Sequence, residues 1–249
     1  MHQGLWAKAA ACAQGIAARF ESPNRRVVRL LDAGRYAEAA ALAEQAVAEA
    51  LEKNPNHRNT AKSLNNLGEV YRNLGRFDEA EPLYHQALAI DEQTIGPEHP
   101  DTAIDLNNLA TLYYNQGRYD EAEPLYRRAL AIYEKVRGPG HPETAANLNN
   151  LAVLFFKQGR CAEAEPLAKR ALAIDEKKLG ANHPDTATDL NNLAKLYAAQ
   201  GRLAEAEPYY TRAVAIRTKR LGPNHAATAQ SRGELEALRR ARADQPVGS

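Results

Sequence analysis

Four pairs of asparagines are the side chains best placed to do chemistry: Asn65 and Asn66, Asn107 and Asn108, Asn149 and Asn150, Asn191 and Asn192. They recur at a spacing of 42 residues. An amide carries two donors and an acceptor, which match the carbonyl and N–H of an extended peptide backbone. A row of amides can therefore hold a peptide without demanding one side-chain sequence. Asn is also a poor helix-interior residue, so its repetition within helices needs a reason. Lys62, Arg72, Lys157 and Lys195 fall on the same helical side and outnumber Glu69, which favours a mildly acidic ligand. Tyr114 and Phe156 add an apolar pocket between the middle repeats. These fourteen residues form the expected peptide-binding set.

Other chemistry-bearing residues fit plainer roles. His99, His141, His183 and His225 also recur every 42 residues. Zinc needs three or four ligands converging on one point. One histidine per repeat gives a row separated by about 10 Å, the spacing of packed helices, and a row cannot chelate. Loop packing and helix capping are expected of these rings instead. Cys161 takes the slot held by Phe77, Tyr119 and Leu203, and so reads as an apolar packing residue. Phosphate-loop, HExxH and GxSxG motifs are missing, and the chain has four serines. The glutamates of the recurring EAEP stretch read as first-turn carboxylates facing a helix dipole. No enzyme, metal or cofactor is expected.

The elements that must position these residues come from the repeat itself. Residues 60–101 and 102–143 share 26 identities in 42 positions without a gap, and residues 144–185 and 186–227 keep the register. Residues 26–59 form a degenerate first copy, with Gly34, Arg35, Tyr36 and Glu38 echoing the glycine turn. Ser22 and Pro23 suit the cap and first position of a shortened helix. Residues 1–25 form an N-terminal extension with a further helix expected over 5–20. Residues 228–249 form a charged capping helix with a frayed end.

Each repeat predicts two helices. Leu106, Leu109, Ala110 and Tyr113 mark one face of a helix A, which Gly117 ends. Ala122, Leu125, Tyr126, Ala129, Ile132 and Tyr133 mark the stripe of a helix B. Asp120 followed by Glu123 suggests a capping box at its start, weaker where Ala162 and Ala204 replace the aspartate. No segment alternates with period two, so strands are excluded.

Composition sets the outer bounds. The 249 residues carry a formal charge of +1, against a whole-chain polyanion binder. Apolar residues at 44% fit a folded chain rather than a disordered one. No apolar run is long enough to span a membrane. Two cysteines make no disulfide framework, and a reduced, cytoplasmic setting is expected. Beyond Arg212 the chain is basic, with eight Lys or Arg, counting Arg212, against three acids. That end reads as a solvated cap, with nucleic-acid contact as a less favoured reading.

The LNNLA stretch, the QGRY-type turn, EAEPLY and RALAI resemble the tetratricopeptide repeat family over about residues 26–242. The 42-residue period and the GPxHPxTA ending are similar to the kinesin light chain subtype. The resemblance implies an all-α helix-turn-helix solenoid with helix A on the concave face. It also implies that the asparagines of kinesin light chains that correspond to these hold a cargo peptide. The second asparagine of each pair is common in the family, where bonding to neighbouring helices is the competing role. No lysine stands at the first-Asn positions, so the family's carboxylate clamp for chaperone tails is not expected. Residues 1–59 lack three consecutive heptads, which removes the basis for a motor role. The expectation is a monomeric protein-interaction scaffold. A self-assembling spacer is the alternative.

Overall fold

A computed structural model describes residues 22–244. The helix expected over 5–20, Cys12, and the frayed end beyond Asp244 lie outside the described residues. The described chain is all helix and turn. In order the helices are α1 (Pro23–Asp32), α2 (Tyr36–Lys53), α3 (Arg58–Asn73), α4 (Phe77–Thr94), α5 (Pro100–Asn115) and α6 (Tyr119–Val136), followed by α7 (Pro142–Lys157), α8 (Cys161–Lys178), α9 (Pro184–Ala199), α10 (Leu203–Leu221) and α11 (Ala226–Ala243). They fall into two compact units, one ending at Leu112 and the other starting at Tyr113. No described helix is long and apolar enough to cross a membrane.

Each helix boundary has a local cause. Ser22 caps α1, its hydroxyl accepting from the Arg25 N–H, with Pro23 at the first position. From α3 onward every helix A, and α11, starts behind a histidine. The Nδ1 atoms of His57, His99, His141, His183 and His225 accept from the backbone N–H two residues ahead, at 3.0–3.2 Å. Each ring satisfies one of the donors that a helix start leaves open. Thr102, Thr144 and Thr186 close the same loops from within, donating to the carbonyls of Gly96, Gly138 and Gly180 at 2.8–2.9 Å.

The turn between helices A and B needs glycine for a conformational reason. Gly75 has φ +74°, where a side chain would be strained. Its N–H donates to the Arg72 carbonyl and that of Arg76 to the Tyr71 carbonyl, the paired bonds of a Schellman end. Arg76 then starts α4. The same Gly-Arg step recurs at Gly117, Gly159 and Gly201.

The capping box expected at Asp120 and Glu123 does not form. Helix α6 begins at Tyr119 behind Arg118, with no side-chain cap, which leaves Asp120 in the first turn as a charge facing the dipole. Arg118 instead forks onto Glu121, with both bonds at 2.7 Å. Arg76–Glu79, Arg160–Glu163 and Arg202–Glu205 do the same, so the aspartate was never the working residue and Ala162 and Ala204 cost no cap. The guanidinium also lies over a buried aromatic ring near the end of helix A, 3.9 Å from Tyr71 and 4.0 Å from Phe155. In the second unit the clasp reaches the preceding helix B: Arg160 meets Glu123 at 2.5 Å, and Arg202 meets Glu165 at 2.7 Å.

Burial follows the expected stripes. Leu106, Leu109, Ala110 and Tyr113 are buried, as are Ala122, Tyr126, Ala129, Ile132 and Tyr133; Leu125 is half-buried. Alanines at helix-B positions such as Ala80, Ala87, Ala164 and Ala171 are fully buried and let the helix pairs approach closely. Ala145, Leu148, Ala171 and Ile174 form a core cluster of the second unit, covered by Leu130 and Leu167. Cys161, at the start of α8, is only half-buried.

Candidate peptide-binding face

The helix-A asparagines are placed by the leucines around them. Leu64 and Leu67, or Leu148 and Leu151, point into the core, which turns the intervening pair to the opposite side of the helix. There the amides meet the next helix A. In the first unit Asn65 donates to an Asp105 carboxylate oxygen at 2.5 Å and accepts from Asn108 at 3.5 Å. In the second unit Asn192 donates to the Asn149 oxygen at 3.1 Å. One pair of amides thus ties successive helices A at a separation of 43 residues.

Asn191 is fully engaged. It is buried, donates to Glu234 at 3.0 Å and accepts from Ser231 at 2.9 Å, both on α11. It has nothing to offer a ligand without giving up those bonds. Asn66, Asn107 and Asn150 lie half-exposed. Among the described residues, Asn66 and Asn150 make no hydrogen bond to another side chain.

The expected basic residues divide similarly. Lys62 is exposed, 3.7 Å from Asp101, which also binds Arg58. Arg72 reaches Glu69 at 3.4 Å and keeps a buried Nε without a partner. Lys195 pairs with Glu234 at 2.9 Å. Lys157 is exposed at the end of α7.

Tyr114 and Phe156 do line one cavity. It measures about 250 Å³ and is bounded further by Val153, Ala168, Lys157, Asn192 and Lys195. Its origin is a break in the repeat. In the four full repeats helix B carries a tyrosine at 84, 126 and 210 and alanine at 168; the degenerate first copy has Ala43 there. Tyr84, Tyr126 and Tyr210 are all buried. In the first unit the Tyr84 ring lies so close to Gly68 that a Cβ there would sit 2.8 Å from it. The corresponding positions in the second unit, Ala152 and Ala168, both line the cavity.

A second, larger cavity lies in the first unit between α1, α3 and α5. It measures about 610 Å³, and its lining includes Asp91 and Asp105, each 1% exposed. Asp105 is pushed up to about 7 by burial, against the bond from Asn65 and with the charges of Asp91 and Asp101 adding to the shift. Asp189, its counterpart in the second unit, is pushed up to about 8 by burial and by the neighbouring Asp175.

Comparison with known proteins settles the family. The tetratricopeptide repeat family matches in overlapping stretches at residues 28–93, 59–135, 106–177, 156–219 and 185–246. The chain belongs to the tetratricopeptide repeat family. Two solved structures carry the subtype. One is a kinesin light chain protein of Podosopora anserina with nearly identical TPR-like repeats, at 30% identity and TM-score 0.67, covering 81% of this chain and 95% of that one. The other is BtubC (BKLC) from P. vanneervenii, at 27% identity and TM-score 0.71, covering 84% and 85%. Aspartyl phosphate phosphatase F from Bacillus subtilis shares the fold at 19% identity and TM-score 0.69, covering 86% of this chain and 53% of that one. No match was found among curated proteins.

Tetratricopeptide repeat proteins are in general non-catalytic scaffolds that bind proteins or peptides. Against that background, two features of this array escaped sequence reasoning. Ala168 was legible as a missing tyrosine in the 42-residue register, but only by asking what each helix-B position fills. Asp105 and Asp189 recur at a separation of 84 and gave no signal beyond that period.

Proposed function

We propose that this chain is a non-enzymatic scaffold that holds an extended peptide, or a disordered segment of a partner protein, along its helix-A face. The observation that carries the reading is the cavity at Ala168. It opens beside Tyr114 and Phe156, is rimmed by Lys157 and Lys195, and forms where helix B carries alanine at 168 in place of the tyrosine of the other full repeats. An apolar ligand side chain fills such a space, and acidic neighbours suit the two lysines. Asn66 and Asn150 supply amides for the ligand backbone. The amides of Asn65, Asn108, Asn149 and Asn192 serve the ligand by exchanging their bonds to one another and, for Asn65, to Asp105. A reduced cytoplasmic setting accords with the unpaired Cys161.

The test is to fill the cavity. Ala168→Tyr restores the residue of the other repeats and should leave the thermal midpoint equal or higher. A fluorescent, capped acidic heptapeptide with one central aromatic residue should bind the wild-type chain and lose at least tenfold in affinity with Ala168→Tyr. That loss corresponds to about 1.4 kcal/mol. Unchanged affinity would remove the cavity from the binding site.

A further inference from the structure

The larger cavity of the first unit, between α1, α3 and α5, lies apart from the cavity at Ala168 in its lining residues. Its floor is built from carboxylates. Asp91 and Asp105 are both almost completely buried, and each keeps one buried oxygen, Oδ1 of Asp91 and Oδ2 of Asp105, with no hydrogen-bond partner. Leaving such oxygens unmet inside a fold is costly, so a partner from outside is a gain waiting to be realised.

The charges around Asp105 are one-sided. Asp91, Asp101 and Glu92 all act on it in the same direction, and its one bonded neighbour is the neutral amide of Asn65. The bases of the cavity stand elsewhere. Arg25 and Arg29 are exposed at the rim on α1, and Lys62 is exposed and turned to Asp101. Two exposed apolar side chains also line the cavity: Val28 and Ile104, each 44% exposed.

We propose that this cavity is a second peptide subsite, selective for a lysine or arginine side chain whose cationic head is received by Asp105 and whose flanking residues rest on Val28 and Ile104. The proposal rests on the reading of the helix-A face as a peptide-binding surface. It goes beyond that reading in requiring a ligand of opposite character in the first unit. The cavity of the second unit is rimmed by lysines and calls for an acidic ligand, whereas this one calls for a basic one. An ammonium or guanidinium at Asp105 replaces a missing counter-charge, which a buried carboxylate gains more from than an exposed one.

The experiment uses the full chain and two capped pentapeptides, identical except for a central lysine or norleucine between valines. Binding is followed by the NMR signals of the Asn65 and Asn108 side-chain amides. The lysine peptide is expected to bind at least tenfold more tightly than the norleucine peptide, and the difference should vanish in Asp105→Asn. Equal binding of the two peptides to the wild-type chain, or a lysine preference that survives Asp105→Asn, would overturn the proposal. If Asp105→Asn fails to fold, the wild-type chain still decides. A saturating lysine peptide should lower the titration midpoint of the Asp105 carboxyl by at least one pH unit, and an unmoved midpoint refutes the site. The acidic heptapeptide separates the two levels of the argument. If it binds the second unit while lysine confers no advantage in the first, only this subsite falls. If neither kind of peptide shifts any helix-A signal, the peptide-binding reading falls with it.

Discussion

The same pair of repeat positions is filled to the limit at Gly68 and Tyr84 in the first unit and left vacant at Ala152 and Ala168 in the second. At Gly68 and Tyr84 the helix-A residue has given up its side chain so that a fully buried ring fits against the backbone. At Ala152 and Ala168 neither partner is large, and the space remains as a cavity beside Tyr114 and Phe156. In a repeat array, neighbouring units stack by the same contacts, so most positions cannot vary without cost. A position that does vary marks a place where packing has been exchanged for something else. Gly68 with Tyr84 and, in the second unit, Ala194 with Tyr210 show the packed solution, and Ala152 with Ala168 shows what its absence provides.

The most severe way to test that contrast is to make the first unit resemble the second. Tyr84→Ala removes a completely buried ring and should cost about 3–5 kcal/mol, the usual range for a large aromatic truncated in a core. In an array the loss should be local. Hydrogen exchange is expected to lose protection in α3 and α4, with α8 and α9 little changed. A cost below about 1 kcal/mol would mean that Tyr84 contributes little packing, and the missing tyrosine at 168 would lose its significance.

The two units also differ in how they hold a buried carboxyl, which gives a pH-dependent comparison. Asp105 and Asp189 both have folded-state values above the ordinary range, so each favours the fold while protonated. That contribution is complete below about pH 4. It is lost as pH rises towards the folded value, about 7 for Asp105 and about 8 for Asp189. Both shares should therefore be lost across the neutral range, that of Asp189 with the charge of Asp175 added to the cost of burial. The wild-type thermal midpoint should fall between pH 5 and 8. Asp189→Asn should flatten that fall and be more stable than wild type at pH 9. Parallel curves for wild type and variant would show that Asp189 is not held neutral.

How much of this was open to sequence reading depends on whether a residue acts within its own repeat or across two. Leu106, Leu109, Ala110 and Tyr113 announce a helix face by spacing alone, and Gly117 announces its end, because both are local rules. The partner of Asn65 is not local. Asp105 lies 40 residues on, and only the stacking of one helix A on the next shows that an amide suited to a ligand is already bonded there. The arginine clasp was missed for a similar reason. Asp120 and Glu123 have the spacing of a capping box, but the helix starts at Tyr119, so Arg118 and Glu121 meet instead. The row of histidines was legible as a set of helix caps because each cap spans two residues.

The gentlest change to the packed site separates ring volume from the hydroxyl. The Tyr84 hydroxyl is buried without a hydrogen-bond partner, as is the Nε of Arg72, and burial raises the phenol well above its ordinary range. A hydroxyl in that position contributes no bond and keeps the cost of its lost hydration. Tyr84→Phe retains the ring against Gly68 and removes that cost, so it should leave stability unchanged or raise it by up to about 1 kcal/mol. Chemical denaturation of Tyr84→Phe beside Tyr84→Ala would measure both parts at once. A loss above 1 kcal/mol for the phenylalanine variant would mean that the hydroxyl is bonded in solution, through water or by a shift of Arg72. The first unit would then be held by a polar contact as well as by the fit of ring to glycine. The contrast with Ala152 and Ala168 would have to be restated in those terms, since an alanine at 168 would forgo a hydrogen bond along with the volume of a ring.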